Sequence, residues 1–276
     1  MTNDDTLHLV TGGTGKTGRR VANRLMERGL PVRIGSRSAA LPFDWTREDT
    51  YGPALAGAGA VYLSYQPDLA APGAPQTIAA FTEAAVKAGV RRIVLLSGRG
   101  EPEAAECEDV VRASGLEWTV LRCSWFAQNF SEDHLLDPVR AGEVALPAGD
   151  VPEPFVDAAD IADAAVAALT QDGHHGEVYE LTGPRALTFA RAVAEIGAAA
   201  GRDVAYVPVP LDAYLGVLAE HGVPDEVGGL LAYLFGTVLD GRNAAPADGV
   251  RRALGREPAD FTDYARATAA TGVWNP

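Results

Sequence analysis

The segment Thr11-Gly12-Gly13-Thr14-Gly15-Lys16-Thr17-Gly18 carries the sharpest chemical signature in this chain. It contains both Gly13-x-Gly15-x-x-Gly18 and Gly12-x-x-Gly15-x-x-Gly18, directly after an apolar run and at the opening of a helical pattern. Glycines at such positions permit a tight turn, close approach of backbone to a pyrophosphate, and contact between helix and strand. The helix start adds free N–H groups and the positive end of the helix dipole, so the chemistry expected is capture of a dinucleotide phosphate. Gly15-Lys16-Thr17 also ends like a Walker A loop, but that motif needs a glycine five residues before Gly15, and the residue there is Val10.

The second informative stretch is Gly35-Ser36-Arg37-Ser38, with no acidic residue until Asp44. In dinucleotide folds an acid at the end of the second strand binds the ribose 2′-hydroxyl, whereas an arginine accommodates a 2′-phosphate. Arg37, flanked by two hydroxyls, suits a phosphate dianion through charge-assisted hydrogen bonds, so NADP(H) is expected in preference to NAD(H). Asp44, in Phe43-Asp44-Trp45, is better placed for the adenine amino group than for the ribose.

Other chemistries find less support. The basic residues include only two lysines, Lys16 and Lys87, so a lysine-dependent mechanism has two candidates. His174-His175 lies beside glycines, and the five histidines show no ligand spacing, so no metal is expected. Ser97-Gly98-Arg99-Gly100 lacks the Gly-x-Ser-x-Gly elbow of hydrolases. Cys123 reads as a buried inert thiol, and the acidic run Glu101–Asp109 as a solvated helix face.

The elements that must position these groups alternate. Apolar runs at Leu7–Val10, Pro31–Gly35, Ala60–Ser64, Arg92–Ser97 and Trp118–Arg122 predict five strands. Helical spacing at Gly15–Arg28, Pro75–Ala88 and Glu103–Ala113 separates them, ending near Gly29, Gly89 and Gly115. Asp157–Leu169 is an alanine-rich helix, and Glu177–Leu181 is a candidate sixth strand. The prediction is an α/β fold, a Rossmann-type doubly wound parallel sheet, with a smaller and mostly helical C-terminal substrate domain. The expected boundaries are 1–150 for the nucleotide domain, with 155–183 returning to it, and 184–276 for the smaller domain, interleaved with 124–150.

Composition fits that class. Of 276 residues, 47% are apolar and 22% charged, which argues against disorder. The charge sum, 23 − 37 = −14, argues against nucleic-acid and anionic-membrane surfaces, which want clustered Lys and Arg. Two cysteines, Cys107 and Cys123, are too few for a disulfide framework or a structural zinc site. Met1–Thr6 is polar and acidic, unlike a signal peptide, and no stretch approaches the roughly 20 apolar residues of a membrane helix. The expectation is a soluble cytoplasmic protein that acts on a small molecule, with a homodimer as the assembly to test.

The motifs TGGTGKTG, FDW at 43–45, AVYLSYQPD at 60–68, RRIVLLSGRGE at 91–101, SGLEWTVLR at 114–122, SWFAQNF at 124–130 and PFVDAADIADAA at 154–165 resemble NmrA-like atypical short-chain dehydrogenases/reductases. Within that family they are similar to the bacterial relatives of ergot-alkaloid reductases. The resemblance implies that Gly12, Thr14, Gly15, Lys16, Thr17 and Gly18 hold the pyrophosphate, and that Ser36, Arg37 and Asp44 surround the adenosine. It further implies that Tyr65 and Gln66, after the third strand, and Ser97 and Gly98, after the fourth, line the nicotinamide side. The wider family holds reductases as well as NmrA, a nucleotide-sensing regulator without enzymatic activity. A non-catalytic NADP-binding redox sensor acting through a protein partner therefore stands as the alternative.

The larger dehydrogenase family relies on a Tyr-x-x-x-Lys pair, in which the lysine eases proton relay by the tyrosine. Residues four after each tyrosine here are Leu55, Gln66, Leu69, Gly183, Pro210, Leu218, Thr237 and Thr268, none of them lysine. A hydride-transfer enzyme of this sequence must deliver its proton otherwise, or use an acceptor that needs no enzymatic acid, such as an iminium ion or a quinone-like compound; an enone is a further expected acceptor. Tyr65, or a water held by Ser97, is the expected source. After the fifth strand, Trp125, Phe126 and Phe130 are candidates for the wall of an apolar substrate pocket, with Asn129 as a polar contact.

Overall fold

The computed structural model describes residues 6–276; Met1–Asp5, part of the opening segment read above, lie outside the described residues. In chain order the first elements are β1 (Leu7–Thr11), α1 (Lys16–Glu27), β2 (Val32–Gly35), α2 (Tyr51–Leu55), β3 (Ala58–Leu63), α3 (Ala74–Lys87), β4 (Arg92–Gly98), α4 (Pro102–Arg112) and β5 (Glu117–Cys123). There follow α5 (Asn129–Glu132), α6 (Leu136–Ala141), β6 (Glu143–Leu146), β7 (Pro152–Glu153), α7 (Ala158–Thr170), β8 (Glu177–Leu181) and β9 (Leu187–Thr188). The chain closes with α8 (Phe189–Ala200), β10 (Ala205–Pro208), α9 (Leu211–Glu220), α10 (Asp225–Tyr233), a π-helical turn at Leu234–Val238, α11 (Gly249–Leu254) and α12 (Phe261–Ala270).

These elements sort into two compact units. The first comprises the chain up to Cys123, Ala158–Leu181 and Asp248–Arg256; the second comprises Ser124–Asp157, Thr182–Ala247 and Glu257–Pro276.

A six-stranded parallel sheet of order β2-β1-β3-β4-β5-β8 forms the spine of the first unit. Helices cover both faces, α1 and α7 packing together on one and α2, α3 and α4 on the other. This burial on both sides explains why β3 to β5 read as near-continuous apolar runs: Val61, Tyr62, Leu63, Ile93, Val94, Leu95, Val120 and Leu121 are all sealed from solvent. Helix α1 buries Thr17, Gly18, Val21, Ala22 and Leu25, one face at helical spacing. It stops where Gly29 takes φ +73°, which lets Leu30 N–H return to the Leu25 carbonyl at 3.0 Å. Helix α7 buries ten of its 13 residues. Its alanines allow that all-round packing, while Asp163 at its surface holds Arg24 at 2.5 Å and Arg256 at 2.6 Å.

The second unit packs around an aromatic cluster. Phe130 is 0% exposed, with ring centroids of Phe155 and Phe261 at 5.7 and 5.9 Å, and Trp274 Nε1 donates to its carbonyl at 2.8 Å. Phe130 is therefore a core residue and not the pocket wall expected from its neighbours Trp125 and Phe126. The extended segment at 205–208 pairs in parallel with β6. Arg185 ties this unit's elements by ion pairs to Glu195 (2.9 Å) and Asp260 (2.7 Å).

Two outcomes follow from that packing. Phe130→Ala is expected to cost about 3–5 kcal/mol of stability in urea unfolding, as a large aromatic removed from a sealed core does; a loss below about 1 kcal/mol would contradict the core assignment. The hydrogen bond from Arg185 holds the Asp260 carboxyl down at about 2. Its folded value lies below the ordinary carboxylate range of about 3.9, so the stabilisation is present above that range and is lost as pH falls toward about 2. Thermal midpoints measured from pH 5 to 2 should fall less steeply in Arg185→Ala than in the parent.

Candidate functional site

The order of the first unit's sheet reverses direction at β1, since the chain steps out to β2 on one side and returns to β3 on the other. Ligands of open α/β sheets bind outside the carboxyl ends of the strands at such a switch point. The glycine segment lies there. Thr11, the last residue of β1, accepts the Ser64 N–H at 2.8 Å and donates to the Tyr62 carbonyl at 3.1 Å, which clamps the ends of β1 and β3. Gly12 then turns with φ +59°, and its carbonyl takes the Gly15 N–H at 2.8 Å.

The loop is too tight for a side chain at Gly13 or Gly18. A Cβ on Gly18 would lie 2.2 Å from the Gly12 carbonyl oxygen, and one on Gly13 would meet Ile34 at 2.9 Å. Gly15 caps α1 in an extended conformation, with no side-chain cap and no acid in the first turn. A helix start of this kind presents backbone N–H groups to an anion. The glycine cradle, the uncapped helix and Lys16, Arg19 and Arg20 together fit the pyrophosphate of a dinucleotide. Thr14 and Gly15 are exposed at the loop tip, whereas the Thr17 side chain is buried.

Past β2, Arg37 is exposed and Ser36 Oγ lies 3.4 Å from Ser38 Oγ. Asp44 Oδ1 accepts both the N–H and the hydroxyl of Thr46 at 2.9 Å. Those two hydrogen bonds, with Arg37 adding a smaller push, hold the Asp44 carboxyl below its usual range. Tyr65 is half-buried, its ring edge-on to Trp45 at 5.1 Å, within an aromatic group that includes Phe43, Tyr51 and Phe81. Gln66 is exposed beside it.

At the end of β4 the structure rearranges the expectations. Ser97 is 4% exposed and donates its hydroxyl to Glu108 Oε1 at 2.7 Å, toward α4. Its side chain is thus spent on a helix contact and does not hold a water at the strand end. Glu108 is 1% exposed and also receives Arg122 through both oxygens, at 2.8 and 2.7 Å, and Arg112 at 2.8 Å. The run Glu101–Asp109 is therefore no uniformly solvated face: Glu103, Glu106 and Asp109 are exposed, but Glu108 is a buried anion neutralised by arginines, and Glu101 is half-buried.

Glu101 and Asp68 were not singled out from the sequence, yet the fold joins them. Their carboxyls hydrogen-bond one another where the segments after β3 and β4 meet. The Glu101 carboxyl sits over Gly98 so closely that a Cβ there would lie 1.9 Å from its Oε1. The Ala70 N–H anchors Asp68 Oδ1 at 2.8 Å. Burial, then the neighbouring Asp68 charge, pushes the Glu101 carboxyl up to about 8. The signal available in the sequence was an acid in each of the segments that follow strands three and four, Asp68 and Glu101.

In the second unit Trp125 is half-buried and packs against Phe189 at 5.3 Å and Phe235 at 5.0 Å, with Tyr214 on the far side of Phe235 at 5.6 Å. Phe126 is half-buried beside Val156, and Asn129 opens α5. Both cysteines are buried, and burial raises both thiols, Cys107 to about 12. Among the described residues no cluster of His, Cys, Asp and Glu could hold a metal ion, and no helix is long and apolar enough to cross a membrane.

Comparison with known proteins agrees with this geometry. A family described as NAD(P)H-binding matches residues 12–172. YesF, an uncharacterized oxidoreductase of Bacillus subtilis, is 34% identical over 280 residues, covering 96% of this chain and 97% of its own. The NAD(P)H azoreductase of Xenophilus azovorans is 32% identical over 287 residues, covering 95% and 98% respectively. The NADPH-dependent quinone oxidoreductase of Escherichia coli, solved with NADPH, shares the fold with a TM-score of 0.79 at 23% identity, over 95% of this chain and 99% of that one. With the glycine cradle at the switch point, these likenesses establish that the chain belongs to the NAD(P)H-binding family, as an NmrA-like atypical short-chain dehydrogenase and an NAD(P)H-dependent oxidoreductase.

Proposed function

We propose that this protein is an NADPH-dependent reductase of a small, largely apolar acceptor, of imine, enone or quinone-like character, working without a Tyr-x-x-x-Lys pair. The observation that carries the reading is the Gly12–Gly18 cradle, closed to a side chain at Gly13 and Gly18, with Arg37 and not an acid following the second strand. Gly12, Thr14, Gly15, Lys16, Thr17 and Gly18 hold the pyrophosphate, and Ser36 and Arg37 the 2′-phosphate, with Asp44 shaping the adenosine end through its turn. Bound there, the nucleotide supplies the hydride.

The chain's own residues orient and shield. Tyr65 and Gln66, with Ser97 and Gly98 as backbone, line the nicotinamide end beyond β3 and β4. Tyr65, supported by Trp45, offers a flat apolar surface to a ring. Trp125, Phe126 and Asn129 contact the acceptor; Trp125 is held by Phe189 and Phe235, which suits a flat organic molecule. The azoreductase and quinone oxidoreductase named above support an electron-poor acceptor, since both are named for reducing conjugated compounds.

Titration with NADPH and NADH tests the cofactor assignment. Arg37→Ala should weaken NADPH binding about ten- to hundredfold, the loss of one charge-assisted phosphate contact, with NADH little changed. Equal effects on both nucleotides would remove Arg37 from the 2′-phosphate. Gly18→Ala, which forces a Cβ onto the Gly12 carbonyl, should abolish binding of both. NADPH oxidation with a panel of quinones and cyclic imines then tests the chemistry: consumption by at least one supports a reductase, and tight binding without turnover by any favours the redox sensor.

A further inference from the structure

We propose that Glu101, paired with Asp68 over Gly98, is the proton donor of this reductase, the role that a tyrosine backed by lysine fills elsewhere. The inference rests on the reductase reading above and adds a residue to it.

The first support is chemical. Two carboxyls that hydrogen-bond one another cannot both be ionised without a cation to offset them, so the pair keeps one proton between them. Among the described residues neither carboxyl has an ion-pair partner. The titratable groups beside them leave the pair in place: Glu103, in the first turn of α4, is an acid, and Cys107 and Cys123 are buried thiols that burial pushes up. Arg99, the adjacent cation, is turned away to Glu180 at 2.9 Å.

The second support is positional. The pair lies at the carboxyl ends of two adjacent strands, β3 and β4, which pair in register from Ala60 with Arg92 to Leu63 with Leu95. Gly98, the last residue of β4, has no side chain to interpose, and the Glu101 carboxyl occupies the space one would fill. Two nearby candidates are engaged elsewhere: Ser97 donates to Glu108, and Glu108 is paired with Arg122 and Arg112.

The step balances as follows. A quinone or enone that has gained a hydride, two electrons and one hydrogen from the bound reductant, is left with an anionic oxygen. The Glu101 O–H bond breaks, a bond forms between that proton and the oxygen, and the carboxylate left behind recovers a proton from water. An iminium acceptor becomes a neutral amine on receiving hydride and has no use for this proton.

The test compares Glu101→Gln with the parent on a naphthoquinone and on a cyclic iminium salt. Glutamine keeps the hydrogen bond to Asp68 but cannot give up a proton. The expected result is a fall of about a hundredfold in kcat with the quinone, a fall of less than about threefold with the iminium salt, and unchanged NADPH affinity. For the parent, quinone reduction should decline above about pH 8, where Glu101 ionises, and the variant should lack that decline. Asp68→Asn, which removes the neighbouring charge, should move the decline to lower pH. Independently of turnover, infrared difference spectra of the nucleotide-free protein at neutral and alkaline pH should show a protonated-carboxyl band that Glu101→Gln abolishes. Equal losses with both acceptors, an unchanged pH profile or persistence of the band in the variant would each overturn the assignment. Failure of the parent to oxidise NADPH with either acceptor would instead overturn the reductase reading, and this inference with it.

Discussion

The approach of Gly18 to the Gly12 carbonyl, where a Cβ would come within 2.2 Å, is the contact on which the rest of the first unit's ligand-facing architecture depends. It brings the first turn of α1 down onto the loop that leaves β1, so the helix start points at the carboxyl ends of the strands. The Thr11 hydroxyl extends the same constraint sideways by fastening the end of β1 to Ser64 at the end of β3. Three consecutive features of the fold, a strand end, a loop and a helix start, are thereby held as one rigid surface. Pre-organisation of that kind is what a phosphate site needs, because a flexible loop would have to be ordered by the ligand itself.

A second organising feature is the use of arginine. With 21 arginines against two lysines, the chain neutralises buried anions with planar, multiply donating partners. Glu108 is the clearest case, held by Arg122 and Arg112 and by the Ser97 hydroxyl. Breaking such a buried group by removing one partner leaves an uncompensated charge, so the network behaves as a unit and secures α4 against β4 and β5. Glu101, seven residues earlier on the same segment, lacks a cation and meets Asp68 instead. The contrast is physical: Glu108, within α4, is held by arginines, whereas Glu101, just before α4, has its carboxyl pushed up by burial and then by the acid beside it.

The relatives place these details in a wider setting. An uncharacterized oxidoreductase and an azoreductase align over nearly the whole chain, while structures below a quarter identical preserve the fold alone. A glycine-rich cradle recurs wherever a dinucleotide is held in this manner, because its glycines answer to backbone geometry.

Much was determined by sequence alone. The five apolar runs, the glycine loop between the first of them and a helix, and the glycines that end α1, α3 and α4 are local signals, governed by periodicity and by backbone conformations open mainly to glycine. Arg37 in place of an acid was equally readable, as a single position at a known distance from the loop. What only the tertiary structure decided concerns which side chains face which. Ser97 looked free at a strand end but points to α4; Phe130 looked like pocket wall but is sealed in the second unit's aromatic core. Asp68 and Glu101 are 33 residues apart, and their meeting follows from the pairing of β3 with β4, a long-range contact to which no local pattern of residues refers. Proton affinity is set by such neighbours and by burial, so the chemistry of those carboxyls was invisible until the strands were paired.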